Sequence, residues 1–156
     1  MSQKINTNEF LKNVRIGLWR IEVEEGKLPR FYADEVMDEL LGITEEITPE
    51  ERFAFHRRCV HPDDMEMFLE YSDKLTETQT EIVYRYIHPI SGEMFVRCAG
   101  IRDNSVTSGI SIIGTHQDIS ETIRVEKEKE AERCLAELNN ELRQEAERNE
   151  NYYRDL

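Results

Sequence analysis

His116 carries the most chemical promise in this sequence. From Ile110 the side chains alternate, so that Ile110, Ile112, Gly114 and His116 share one face of a strand and Ser111, Ile113, Thr115 and Gln117 the other. An inward imidazole can contact a ligand or change charge with pH; as a structural group it would be hydrogen-bonded locally. His56, Cys59 and His61 also crowd together, and residue type alone would suggest a metal cluster. Their His-x2-Cys-x-His spacing fits no common zinc geometry, and His61 belongs to the helix start His61-Pro62-Asp63-Asp64. Asp63 and Asp64 are adjacent and do not face each other as an acid/base pair; the positive end of a helix accounts for them. No nucleophile with its base and no glycine-rich phosphate loop stands out, so no catalytic or metal-binding residue is assigned and the segment is expected not to be an enzyme.

The elements that would hold His116 follow from periodicity. Phe10, Leu11 and Val14 suit a short amphipathic helix, ended near Gly17. Residues 17–24 and 27–33 read as two strands around Glu25-Gly26, with Leu18, Trp19, Ile21 and Val23 as the apolar positions. Asp34 is a helix cap, Val36, Met37, Leu40 and Leu41 form an apolar face, and Gly42 suits the left-handed position beyond it. Thr48 caps a second helix with Pro49 in its first turn, and a third begins at His61-Pro62-Asp63-Asp64 with Met65, Phe68, Leu69 and Leu75 as its buried candidates. Residues 81–88, 93–102 and 109–119 then alternate as three strands of an antiparallel meander. The predicted class is α+β: a five-stranded antiparallel sheet with short helices on one face and a long C-terminal helix.

Composition narrows the function further. The 156 residues carry 33 acidic and 20 basic side chains, a net charge of −13 that opposes nucleic acid and anionic membranes. No apolar run approaches the roughly 20 residues of a membrane span, and the N-terminus lacks the apolar core of a signal peptide, so a cytoplasmic location is expected. Cys59, Cys98 and Cys134 are odd in number and widely spaced, as expected of free thiols in a reducing compartment.

Taken in order, the landmarks resemble the PAS domain over residues 8–121. They are Gly17-Leu18-Trp19, Asp34 with Leu40-Leu41-Gly42, Val60-His61-Pro62-Asp63-Asp64, Tyr84-Arg85, Ser91-Gly92-Glu93, and Gly114 with Gln117-Asp118-Ile119-Ser120. The resemblance implies a sensory and interaction module found upstream of histidine kinases, diguanylate cyclases and other outputs. It also implies a role for Asp118 in tying the last strand to the outgoing helix, with Ser120 beside it, because Asp-Ile-Ser corresponds to the family's Asp-Ile-Thr motif. His116 stands where the light-sensing flavin branch has a ring-reading glutamine, so His116, Ile112, Gly114 and Trp19 are the ligand-pocket candidates. The reactive cysteine segment of that branch has no counterpart here, so no covalent flavin is expected; heme through His56 or His61 lacks support, and the cofactor is left unassigned.

Beyond Glu121 the sequence changes character. Ala131, Leu135, Leu138 and Leu142 repeat at four-three-four spacing, continued loosely by Glu145, Asn149, Tyr152 and Leu156, amid charged residues. This stripe is too narrow for a globular core and suits a parallel two-stranded coiled coil, with Phe10 and Leu11 as a second apolar patch for a homodimer. The expected organisation is a flanking helix over residues 1–14, a sensor domain over 15–120 and a linker helix over 121–156. The functional expectation is an input domain that binds a small ligand or partner and passes the change through the helix to an output domain lying beyond the chain. Against it stand a ligand-free dimerisation adaptor, which would show an interior filled by Trp19, Phe31 and Phe95, and, last, a small enzyme with an acid/base pair in its cavity.

Overall fold

A computed structural model describes residues 6–156; the first five positions of the 1–14 flanking segment lie outside the described residues. Asn6 caps α1 (Thr7–Asn13), after which come β1 (Ile16–Val23) and β2 (Arg30–Ala33). Then follow α2 (Glu35–Leu41), α3 (Pro49–Cys59), a 3-10 turn at Pro62–Asp64 and α4 (Met65–Lys74). Finally come β3 (Thr80–His88), β4 (Gly92–Arg102), β5 (Ile110–Asp118) and α5 (Ser120–Arg154). The sheet order is β2-β1-β5-β4-β3, antiparallel throughout. β5 therefore lies at the centre between β1 and β4, while β3, β4 and β5 form the meander.

Local chemistry explains the boundaries. The Asp34 carboxylate accepts from Met37 N and from Leu18 N, so one side chain starts α2 and secures it to β1. Thr48 and Glu51 form a reciprocal capping box at α3, behind Pro49. Gly42 ends α2 at φ +77°, and a Cβ there would also meet the Pro89 ring at 2.6 Å, so both backbone and packing require glycine.

The core lies between one face of the sheet and α2, α3 and α4. β1 contributes Trp19, β2 Phe31, β3 Ile82, Tyr84 and Tyr86, β4 Met94, Val96 and Cys98, and β5 Ile112 and His116. Against them pack Val36, Met37, Leu40 and Leu41 of α2, His56 of α3, and Phe68 and Tyr71 of α4 with Leu75 at its end. Three expectations need correction. Leu69 is 41% exposed and Tyr71 takes the buried place, because 68, 71 and 75 share a helical face that 69 misses. Phe95 lies on the outer face of β4, since Met94, Val96 and Cys98 take the inward positions. The second strand begins at Arg30, after a loop from residue 27.

The chain divides into two units, residues 1–120 and 121–156. In the second, α5 is a charged helix with the local ion pairs Arg124–Glu121, Arg124–Glu128 and Arg133–Glu130, three or four residues apart. Leu135, Leu138 and Leu142 are each more than half exposed along it. No helix among the described residues is long and apolar enough to cross a membrane.

Candidate functional site in the sheet interior and at the last strand

The four pocket candidates do converge. Trp19 and Gly114 are register partners, Ile21 pairs Ile112, and Gly17 pairs His116, so β1 and β5 present them side by side on the inner face. What fills the space between them is the indole of Trp19. Trp19, Gly114 and Gly100 stand in one row across three strands, and the indole reaches over the two glycines. A Cβ on Gly114 would drive into the Ala99 carbonyl and lie 2.6 Å from Trp19 Cε2; one on Gly100 would lie 2.9 Å from both Trp19 Cη2 and Leu75 Cδ2. Glycine is thus required here by close approach.

Behind Trp19 the space is aromatic. Phe31 meets Trp19 edge to face with centroids 6.1 Å apart, and His116 does so at 5.9 Å. His56 stacks on Tyr86 at 5.9 Å and meets Phe31, Phe68 and His116 at 5.4 to 5.5 Å. The two histidines are joined through one hydroxyl: Tyr84 OH lies 2.8 Å from His56 Nε2 and 2.6 Å from His116 Nε2. Burial drives the His56 pKa down to about 3, with the Arg57 charge adding to it, and holds His116 well below its ordinary value, with His56 adding to it. Both rings are therefore neutral at pH 7. Trp19 Nε1 and His116 Nδ1 are buried without a partner.

His56 and His61, considered together as metal candidates, turn to different tasks. His56 binds Tyr84, whereas His61 Nδ1 accepts from Asp63 N and shapes the 3-10 turn. Asp64 does more than sit on a helix dipole. Its carboxylate takes Arg85 Nε and Nη2 at 3.1 and 2.6 Å and Arg85 N at 2.7 Å, and Arg85's hydrogen bond holds its pKa below the usual carboxylate value. With His61 N donating to Arg85 O, this ties the start of α4 to β3.

The last strand ends in a clasp. Asp118 accepts from Ser120 N at 2.9 Å, and Ser120 Oγ accepts from Phe95 N at 2.9 Å. Ile119 N donates to Phe95 O, also at 2.9 Å. Phe95 of β4 is therefore held through both its backbone groups by the two residues after β5. Asp118 and Ser120 were legible as a helix start; Phe95 was not, because its share is made by backbone atoms that no residue type announces.

On the outer face, between the rows Leu18–Thr115–Ala99 and Tyr32–Arg20–Ile113–Ile101, runs an open groove of about 680 Å³.

Comparison with known proteins settles the family. A model of the PAS fold matches residues 30–116, more than half of the chain. The chain belongs to the PAS fold family. Solved structures agree at the level of the PAS fold. A sensory box histidine kinase/response regulator from Burkholderia thailandensis E264 is 18% identical with a TM-score of 0.62, over 81% of this chain and 94% of that one. The N-terminal domain of a diguanylate cyclase with PAS/PAC sensor from Marinobacter aquaeolei is 24% identical with a TM-score of 0.53, over 69% and 97%. The domain of a putative light and redox sensing histidine kinase from Haloarcula marismortui is 15% identical with a TM-score of 0.51, over 74% and 99%. Comparison with curated proteins gave no match.

Proposed function

We propose that this PAS domain is a sensory input module that acts through protein association and relays its state along α5 to an output domain of the same signalling protein. The observation that carries the reading is the interior: Trp19, Phe31, His56, Phe68, Tyr84, Tyr86 and His116 occupy the space in which a ligand would lie. That favours the dimerisation adaptor over a small-molecule receptor. The similar folds named for a histidine kinase and a diguanylate cyclase supply the kind of protein in which such a module works.

The proposed route runs from β5 through Asp118, Ile119 and Ser120 into α5, with no residues left for a flexible linker. The proposed pairing element is the stripe Leu135, Leu138 and Leu142, whose exposed leucines gain a covered environment in a parallel dimer. Phe10, 54% exposed on α1, with Leu11 beside it, extends the apolar surface of the N-terminal segment. The proposed role is regulatory, and the two buried histidines, neutral and bonded to a tyrosine, are not poised as an acid/base pair. A cytoplasmic home follows from the acidic, thiol-bearing composition.

A second reading keeps a small ligand. Trp19 Nε1 and His116 Nδ1 are buried and unpaired with ring centroids 5.9 Å apart, and a small polar molecule admitted by rotation of the indole would satisfy both. Sedimentation equilibrium separates the pairing element from the rest: the wild type should associate, and Leu138→Asp should sediment as a monomer with an unchanged near-ultraviolet spectrum. A wild-type monomer at tens of micromolar, the order at which weak pairing is read, would remove the association reading.

A further inference from the structure

The hydrogen-bond inventory of the interior defines a state that goes beyond the relay of pairing. Tyr84 OH has one proton to give and stands between two imidazole Nε2 atoms, at 2.8 Å from His56 and 2.6 Å from His116. Two accepting nitrogens would need two hydroxyl protons. Two donating nitrogens would leave the Tyr84 proton aimed at nothing within a buried core. One imidazole therefore donates and the other accepts, so the two rings hold opposite tautomers. His116 Nδ1 is buried and unpaired, and a bare lone pair there costs less than an orphaned N–H. This makes His116 Nε2–H the donor to Tyr84, and Tyr84 the donor to His56 Nε2.

We propose that His56, Tyr84 and His116 form a neutral latch joining α3 to β3 and β5, which closes only with both imidazoles deprotonated and which acid opens by the uptake of two protons. A first added proton leaves Tyr84 with one donor and one acceptor, but it places a charge in the core and puts an N–H on the buried, partnerless His116 Nδ1, whether by direct protonation or by the tautomer shift that a protonated His56 imposes; a second proton leaves Tyr84 between two donors. The surroundings cannot compensate. From α3 the facing charged group is Arg57, which opposes a second positive charge. From β3 come Tyr84 and Tyr86, from α4 Tyr71 and from β4 Cys98, all with pKa values raised by burial and so neutral below pH 8. β1 and β2 bring Trp19 and Phe31, and among the described residues no carboxylate acts on the pKa of either ring. His61 and His88 lie outside this cluster, engaged with Asp63 N and with Ile90 N and Ser91 N.

The sign follows from linkage. A histidine whose folded pKa is depressed stabilises the closed state above its free value of 6.5, and the closed state loses ground as pH falls below that value. Two such groups raise the open population about a hundredfold between pH 7.5 and 5.5, and one group about tenfold, a window above the carboxylates. The test is amide hydrogen exchange on the full chain, corrected for intrinsic rates, followed at β5 amides such as Ile112 and Gly114. Wild type should show the hundredfold rise, His56→Gln and His116→Gln about tenfold each, and His61→Gln the full wild-type change. A pH-independent opening, or an unaltered slope in both buried-site variants, overturns the latch. Should either variant fail to fold, nitrogen-15 spectra of the wild-type imidazoles decide: opposite tautomers that do not titrate in the folded state support it. Matching tautomers, or a buried histidine that titrates near 6.5 while the protein stays folded, refute it.

Discussion

At the residue scale, function-related geometry rests on what is missing at two positions. Gly114 and Gly100 have no side chain, and the Trp19 indole occupies the room thus left. Gly114→Ala should lower stability by at least about 2 kcal/mol, since its new methyl meets backbone and ring together. Thr115→Ala, next door on the outer face, should stay within about 0.5 kcal/mol; urea unfolding of the two checks the contrast. The sequence showed that Ile112, Gly114 and His116 share a face, because alternation is a local signal; the register of β1 adds Trp19 to it. The sequence did not show that His116 has a partner, since Tyr84 and His56 are brought to it from 32 and 60 positions away by the sheet order and the placement of α3. Phe95 was misplaced by residue type; only the register of β4 assigns it outward.

At the element scale, two connections hold helices to the sheet. Asp64, held low by Arg85, contributes stability that is present above its ordinary pKa of 3.8 and is lost as acid protonates it. Asp64→Asn should therefore destabilise the fold at pH 7 and show a smaller loss than wild type on going to pH 3, read as melting temperature at both values. At the other connection, Ser120→Ala removes the acceptor for Phe95 N but leaves Ile119 N on Phe95 O, so the expected cost is about 1 kcal/mol. Faster exchange of the Phe95 amide, with the rest of β4 unchanged, is the signature to look for. Element existence was legible almost throughout because helix starts carry recognisable residues: Asp34 and Thr48 cap α2 and α3, and His61-Pro62-Asp63-Asp64 opens the 3-10 turn that leads into α4. The β2 boundary was misjudged because Pro29, which has no N–H to give a sheet ladder, was counted within the strand, whereas the pairing ends at Glu22 and Arg30.

At the scale of the whole molecule, a filled PAS interior and a helix with an unburied leucine stripe are the two observations behind the proposed response by association. Native mass spectrometry of the purified chain, with an absorbance scan through the visible, tests that claim most directly. The account predicts a dimer whose mass is twice that of the 18.5 kDa polypeptide, with no added mass and no band beyond the aromatic ultraviolet. A co-purifying molecule or chromophore would contradict the filled interior, and a bare monomer would contradict the pairing.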